Sequence, residues 1–318
     1  MALFLSEADV KKVLTVEMAI AGVESAHRDL SLGQALDTPR ARSRLPQTVL
    51  HILQGALPAQ GVLGYKAYTS NRSGNRFLVH LFDAATGQLR AVIESDYLGM
   101  IRTGATSGLA ARWLARPDST VAGVFGAGWQ AEGHVRAICA TLPLERVKVF
   151  SRKADKLQAF CERLSLATGV AVVPAASAEE TVRGSDLLGT VTTAAQPLFD
   201  AEWIEAGTHI NAAGSNALIR QELSEAALKR CGLITVDSVP TALAEAGDLL
   251  PLLEKGRLQP RQLVELGEVI TGRHPGRTDN EQITVFESQG MAIQDLAVAL
   301  RVLAAAEVQG LGTPIPMQ

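Results

Sequence analysis

The 318-residue chain has no uninterrupted apolar run of about 18 residues, the length a helix needs to cross a bilayer, so no membrane span is expected. Nor is there an excess of positive charge. Its 30 Lys and Arg stand against 33 Asp and Glu, a net charge of −3, which removes the basic footprint of a nucleic-acid-binding protein. The opening residues, MALFLSEADVKK, lack the basic start and apolar core of a secretory signal. Cysteine is scarce: Cys139, Cys161 and Cys231 are odd in number and far apart. They are expected as buried thiols in a reducing cytoplasm, neither disulfides nor a zinc site. The six histidines form no ligand-spaced cluster, so no metal is expected. There is no internal repeat and no low-complexity linker. What remains, 47% hydrophobic and 20% charged, is the composition of a soluble enzyme with room for two domains.

The N-terminal part has the pattern of helices followed by a hairpin-rich sheet. Ser6 opens a helix, with Asp9 three residues on, and a second helix over 16–32 ends at Gly33. β-rich runs follow at 40–44, 49–54, 62–69, 76–82 and 88–94, with Asn75, Thr86 and Gly87 as turns. A helix over about 102–115 ends before Pro117. From Val121 the pattern changes. VAGVF, RVKVF, VAVV, DLLGTVTT, THINAAG, LITVDS and ITVF are strand-like apolar runs alternating with helices, as in a parallel sheet covered on both faces. A last helix, about 290–308, is expected to pack back on the first domain. The fold class is α/β: a Rossmann dinucleotide-binding domain over 116–290, and an α+β domain from 1–115 with 291–318.

Gly126-Ala127-Gly128-Trp129-Gln130-Ala131 fits GxGxxA. The first glycine permits a tight turn, the second lets backbone approach a pyrophosphate, and small Ala131 lets helix and strand pack closely. Amides at the helix N-terminus then face the phosphates. A glycine turn has structural uses too, but the strand before it and the helix after it favour a dinucleotide, with Gln130 beside the phosphates. In such folds an acidic residue about 20 residues past the loop binds the ribose of NAD. Here RVKVF ends in Ser151-Arg152-Lys153, with no carboxylate at its tip. A hydroxyl followed by two cations suits a 2′-phosphate; the alternative is a solvated basic turn. NADPH is expected, with NADH possible.

Other residues carry charge into unusual places. Arg40, Arg42 and Arg44 alternate along an extended run and point to one face, as a solvated edge or an anion site. Lys66 lies in LGYKAYT, an otherwise apolar strand, and must reach solvent or find an anion. Arg102 is expected to open a helix, where a cation opposes the helix dipole unless an anion sits between them. Thr190 and Thr192 end a strand where ligands usually bind, and Ser288 and Gly290 follow another. Each of these four also suits a cap or a turn.

These motifs run in a recognisable order: Thr38-Pro39-Arg40, Gly64-Tyr65-Lys66, Ile101-Arg102-Thr103-Gly104-Ala105, GAGWQA, Asn211-Ala212-Ala213-Gly214-Ser215-Asn216 and ITVFESQGMAIQDL. On them the chain resembles the ornithine cyclodeaminase/mu-crystallin family of nicotinamide-dependent enzymes, nearest in motif to the cyclic ketimine reductases. The resemblance implies a homodimer and makes the first domain the one that binds substrate and dimerises. It implies that Arg40, Lys66 and Arg102 clamp a substrate carboxylate. Arg102 and Thr103 are implied near a cofactor phosphate, Ser288 and Gly290 near the nicotinamide. Arg42 and Arg44 stay open between edge and site.

Two departures bear on the chemistry. Cyclodeaminases of the family carry an aspartate, which engages the substrate's amino group, where this chain has Asn216, and a glutamate where it has His51. An amide neither ionises nor attracts a second ammonium, so a cyclic imine suits the site better than ornithine. The expected activity is NADPH-dependent reduction of 1-pyrroline-2-carboxylate or 1-piperideine-2-carboxylate to proline or pipecolate. Lys66 and Asn216 are the candidate catalytic residues, and Lys66 or a water supplies the proton. The alternatives are an ornithine cyclodeaminase, an alanine or N-alkyl amino acid dehydrogenase, and, in another class, a non-catalytic ligand-binding protein.

Overall fold

The first element is a strand, β1 (Ala2–Leu5), where the sequence pattern led to a helix at once. Four apolar residues carry no alternation to betray it, and its pairing partners lie far away in the chain. The computed structural model describes residues 2–316. Ser6 caps α1 (Glu7–Val13): its hydroxyl accepts from the Asp9 amide at 3.3 Å, and the Asp9 carboxylate accepts from the Ser6 amide at 3.1 Å. This is the reciprocal box expected. Helix α2 (Val16–Ser31) stops before Gly33, whose φ is +70°. An antiparallel meander follows: β2 (Leu36–Arg44), β3 (Thr48–Leu57), β4 (Val62–Asn71), β5 (Gly74–Asp83) and β6 (Leu89–Glu94). The β4–β5 turn is Arg72-Ser73; Asn75 lies inside β5, paired with Ser70. Helix α3 (Asp96–Leu114) starts a turn and a half earlier than expected.

Strands β7 (Val121–Phe125), β8 (Arg146–Phe150), β9 (Ala171–Pro174), β10 (Leu187–Thr190), β11 (His209–Ala212), β12 (Leu233–Val236), β13 (Leu263–Glu265) and β14 (Thr284–Glu287) form an eight-stranded parallel sheet. Between them come α4 (Trp129–Thr141), α5 (Leu157–Thr168), α6 (Ala178–Val182), α7 (Glu225–Arg230), α8 (Val239–Glu245), α9 (Leu250–Glu254) and α10 (Leu266–Ile270). The chain closes with α11 (Ala292–Val308) and β15 (Thr313–Ile315). It divides into two compact units, Met1–Arg102 with Gly290–Gln318, and Thr103–Gln289, the break falling inside α3. Among the described residues no helix is long and apolar enough to cross a membrane. The three thiols are unpaired, but only Cys161 is buried; Cys139 and Cys231 are partly exposed.

In the first unit the sheet order is β15-β1-β6-β5-β4-β3-β2. Opposite ends of the chain meet at one edge of it: β1 pairs parallel with β6 and antiparallel with β15. Helix α11 packs against β3, β4 and β5 on one side and α2 on the other. It therefore buries residues all round, from Ala292 to Ala306. Gly64 permits the approach: a Cβ there would lie 2.1 Å from the His80 carbonyl oxygen and 3.0 Å from Leu296 of α11. The opposite sheet face carries Leu50, Ile52, Leu63, Tyr65, His80 and Phe82, all exposed or half-buried.

In the second unit the order is β13-β12-β14-β11-β10-β7-β8-β9. From β7 the chain runs to β8 and β9 on one side, then to β10 and β11 on the other, creating the strand-order reversal at which such sheets bind ligands. Both faces are covered. Neighbouring residues alternate between two apolar clusters, Val124 and Leu187 in one, Phe125 and Leu188 in the other.

Buried carboxylates tie the C-terminal ends of these strands together. Glu222 accepts from the Thr192 amide at 2.6 Å and the Gly214 amide at 2.8 Å. Asp248 accepts from the Glu222 and Leu223 amides, at 2.8 and 3.1 Å. Glu287 accepts from the Ser215 hydroxyl at 3.0 Å and the Gln289 side chain at 3.1 Å. Burial, then the charge of Asp248, holds the Glu287 carboxyl well above the usual range, and its proton bonds Asp248. A carboxyl raised in the fold stabilises below its unfolded pKa and loses that contribution as pH rises through the folded value. Glu287→Gln keeps an acceptor for Ser215 and a donor for Asp248 but cannot ionise. Calorimetric Tm between pH 6 and 9 should therefore fall less in this variant than in the parent; parallel curves would show that Glu287 does not titrate with unfolding.

Candidate active site

Lys66 sits on β4, on the face that α11 covers, and is 4% exposed. The anion it needs is Asp295, in the first turn of α11 and wholly buried. Lys66 Nζ donates to Asp295 Oδ1 at 3.1 Å, and Arg102 Nε donates to the same oxygen at 2.8 Å. Arg102 Nη1 also donates to Gln294 Oε1 at 2.9 Å, and the Gln294 side-chain amide meets His27 Nε2 at 3.1 Å. Arg102 does not open its helix. It lies well inside α3, beyond the reach of the N-terminal dipole, so the dipole argument for an anion fails; the built-in partner is a carboxylate from another helix. Gly290, at φ +81°, leaves room for the guanidinium: a Cβ there would lie 3.0 Å from Nη1.

The arginine strand adds charge to this face. Arg42 lies opposite His51 and Arg44 opposite Val49, while Pro39 and half-buried Arg40 occupy a bulge between Thr38 and Ala41. Burial first, then the charges of Arg40, Arg42 and Arg44, push His51 down to about 4. It stays neutral, stacked on Tyr68 at 4.2 Å and 3.0 Å from the Ser70 hydroxyl. Burial pushes Lys66 down to about 8; Asp295 opposes the shift, and Arg102 and Arg40 add to it. The ammonium also lies 5.2 Å from the centre of the Phe77 ring. Lys66 and Arg102 share one carboxylate, and the charge of Arg40 also reaches Lys66.

In the second unit the glycine turn has the conformation its motif requires. Gly126 has φ +114°, and a Cβ would lie 2.6 Å from the Val191 carbonyl oxygen. Gly128 is the N-cap of α4, with no side-chain cap, and a Cβ there would meet only open space. Ala127 is half-buried, Gln130 is exposed, and Ala131 is fully buried against the strand. The Gly126 amide donates to the Phe150 carbonyl at 2.9 Å, which holds the tip of β8 beside the turn. Ser151, Arg152 and Lys153 follow at once; the Lys153 amide donates to the Ser151 hydroxyl at 3.3 Å, and both cations are exposed.

Thr190 ends β10 and is buried. Thr192 lies beyond the strand, not at its end, with its amide held by Glu222. Ser288 donates to Asp237 at 3.1 Å, just past β14. Asn216 is half-buried and accepts from Arg220 at 3.4 Å. Thr103, half-buried, follows Arg102 on α3. The structure thus gathers Lys66 and Arg102 on Asp295 in one unit. In the other it sets the glycine turn, Ser151–Lys153, Thr190 and Thr192 at the C-terminal ends of neighbouring strands β7, β8 and β10. Asp295 and Gln294 were missed by motif reasoning, although an acid in the otherwise apolar run after Met291 was a visible signal. Among the described residues no group of three or more His, Cys, Asp or Glu could hold a metal ion.

Comparison with known proteins matches this arrangement to a family. The family model described as ornithine cyclodeaminase/mu-crystallin matches residues 1–309. A Delta(1)-pyrroline-2-carboxylate reductase of Bacillus cereus is 33% identical, over 98% of this chain and 99% of its own length. The structure of Thermococcus litoralis Delta(1)-pyrroline-2-carboxylate reductase in complex with NADH and L-proline superposes with a TM-score of 0.94 at 30% identity, covering 98% of this chain and 100% of that one. An archaeal alanine dehydrogenase dimer with bound NAD gives 0.94 at 32% identity, covering 100% and 99%. The chain belongs to the ornithine cyclodeaminase/mu-crystallin family.

Proposed function

We propose that the chain reduces a cyclic imino acid, 1-pyrroline-2-carboxylate or 1-piperideine-2-carboxylate, to proline or pipecolate with NADPH. It is an oxidoreductase acting on CH–NH bonds. The observation that carries this is the surplus of positive charge around Lys66 and Arg102, in a chain similar to a reductase solved with NADH and L-proline. Arg40, Lys66 and Arg102 hold the substrate carboxylate and so fix the imine carbon. Lys66, at about 8, holds a proton near neutral pH that it can release to the imine nitrogen. The uncapped, open N-terminus of α4 at Gly128 fits a pyrophosphate, and a dinucleotide bound there supplies the hydride.

The preference for NADPH rests on Ser151-Arg152-Lys153 alone, since the two solved neighbours above are described with NADH or NAD. A homodimer is supported by the half-exposed apolar face around Leu63 and Tyr65 and by the dimeric alanine dehydrogenase. The unpaired thiols fit a cytoplasmic enzyme. A second reading, alanine dehydrogenase, is favoured by the similarity to that neighbour. Asn216 argues against ornithine, because an amide cannot hold a second ammonium by charge.

NADPH oxidation against five- and six-membered cyclic imines, pyruvate with ammonia, and ornithine separates these. Imine reduction should dominate, with little ammonia released from ornithine; ammonia release at an equal or higher rate overturns the assignment. Asn216→Asp should not improve imine reduction, because it adds a negative charge near an anionic substrate.

For the cofactor, NADPH should exceed NADH in kcat/KM, and Ser151→Asp should reduce or reverse the preference by setting a like charge against the 2′-phosphate. Equal use of both by the parent enzyme rules this out.

For the clamp, Arg40→Ala, Lys66→Ala and Arg102→Ala should each lower kcat/KM about tenfold or more, since a charge-assisted hydrogen bond is worth about 1.5–3 kcal/mol. Full activity in two of the three would place the carboxylate elsewhere.

A further inference from the structure

We propose that Asp295 is a positioning residue of the active site, acting through Lys66 and Arg102: one carboxylate oxygen fixes the spacing of both cationic heads and keeps the lysine charged. What the cations bind is taken from the imine-reductase reading, on which the kinetic part of this role rests.

Asp295 is an acid in apolar surroundings on its own helix. Its neighbours Ile293, Leu296 and Ala297 are fully buried apolar residues of α11. Only Oδ1 is engaged, by Arg102 at 2.8 Å and Lys66 at 3.1 Å. Oδ2 is buried, with no hydrogen-bond partner among the described residues. A buried carboxylate with one oxygen unserved carries a desolvation cost, and what it delivers in return is its charge to Lys66 and Arg102. Gln294, next to it, takes the other side of the Arg102 guanidinium and is itself held by His27 of α2. Two consecutive residues of one helix thus orient Arg102, and one of them reaches Lys66 as well.

The groups around Lys66 make the coupling specific. Arg40 comes from β2, Arg102 from α3, Tyr68 from β4 itself, and Phe77 from β5. His51 of β3 stacks behind Tyr68 and is neutral. Asp295 is the anion of this set. Without it, burial and two guanidinium groups act unopposed on the ammonium, and Lys66 gives up its proton at lower pH. An opposite charge within about 4–6 Å moves a titration by about 1–3 pH units.

The test uses the full chain with Asp295→Asn, Asp295→Ser and Asp295→Glu. Lys66 is titrated by 13C NMR of lysine Cε, its resonance assigned by its loss in Lys66→Arg. The pH profile of kcat/KM is measured with NADPH and 1-pyrroline-2-carboxylate. In the two neutral variants the Lys66 titration should fall by about 1–3 pH units, the alkaline limb of kcat/KM should move with it, and Asp295→Glu should restore part of both. An unmoved Lys66 titration in either neutral variant overturns the role, as does an alkaline limb that stays in place while the lysine shifts. If neither neutral variant folds, recovery of folding on adding Lys66→Met supports the charge coupling, and no recovery overturns it. If the lysine shifts but the parent enzyme turns over no cyclic imine, the imine reading falls and the positioning role stands.

Discussion

A lysine and an arginine, both almost wholly buried, meet on one oxygen of a buried aspartate. Water offers these charges little help, so the fold has to bring the carboxylate to them. That requirement reaches outward. Asp295 must come from a helix on the sheet face that Lys66 occupies, so α11 lies directly on β3, β4 and β5. The sheet must let it close, and Gly64 leaves the space. Helix α2 covers the far side of α11 and contributes His27 to the chain of contacts through Gln294. The packing of the first unit around α11 thus delivers one negative charge to two positive ones.

The second unit solves a different problem with the same kind of group. A parallel sheet ends in loops whose backbone amides need partners, and here Glu222, Asp248 and Asp237 accept from them inside the protein, while Glu287 accepts from the side chains of Ser215 and Gln289. Asp248 and Glu222 act on Glu287 with like charge, and the proton held by Glu287 relieves the repulsion. The loops after β10, β11 and β14 are thereby fixed relative to one another, while the glycine turn after β7 leaves its own helix end open.

Most of the architecture could be read from periodicity and punctuation. Ser6 and Asp9 announced their capping box, the meander strands were marked by alternation, and the continuous apolar runs after Val121 gave the parallel sheet. β1 and β15 escaped because such short segments carry no period and pair with partners distant in the chain. Arg102 was misplaced because Ser95 and Asp96, a cap candidate and a first-turn acid, mark an earlier start that was not read; its partner is Asp295. Lys66 was legible as a buried charge in need of a partner; which partner was not, because a contact between residues 229 positions apart leaves no local trace. The carboxylate cluster was hidden for the same reason: each member sits in a different loop and only the sheet collects them.

The pairing of β1 with β15 makes the parallel-sheet unit an insertion within the other unit. A chain made from its N-terminus exposes Lys66 and Arg102 long before α11 exists. The inserted segment has all of its strands in hand and can fold as it emerges, since domains generally fold as units during synthesis. The first sheet has to wait, with its helix-covered face open and its buried cations unmatched, until all of residues 103–289 have been made. The order of translation therefore places assembly of the charged centre last, and makes closure of α11 the step that turns an incomplete sheet into a site.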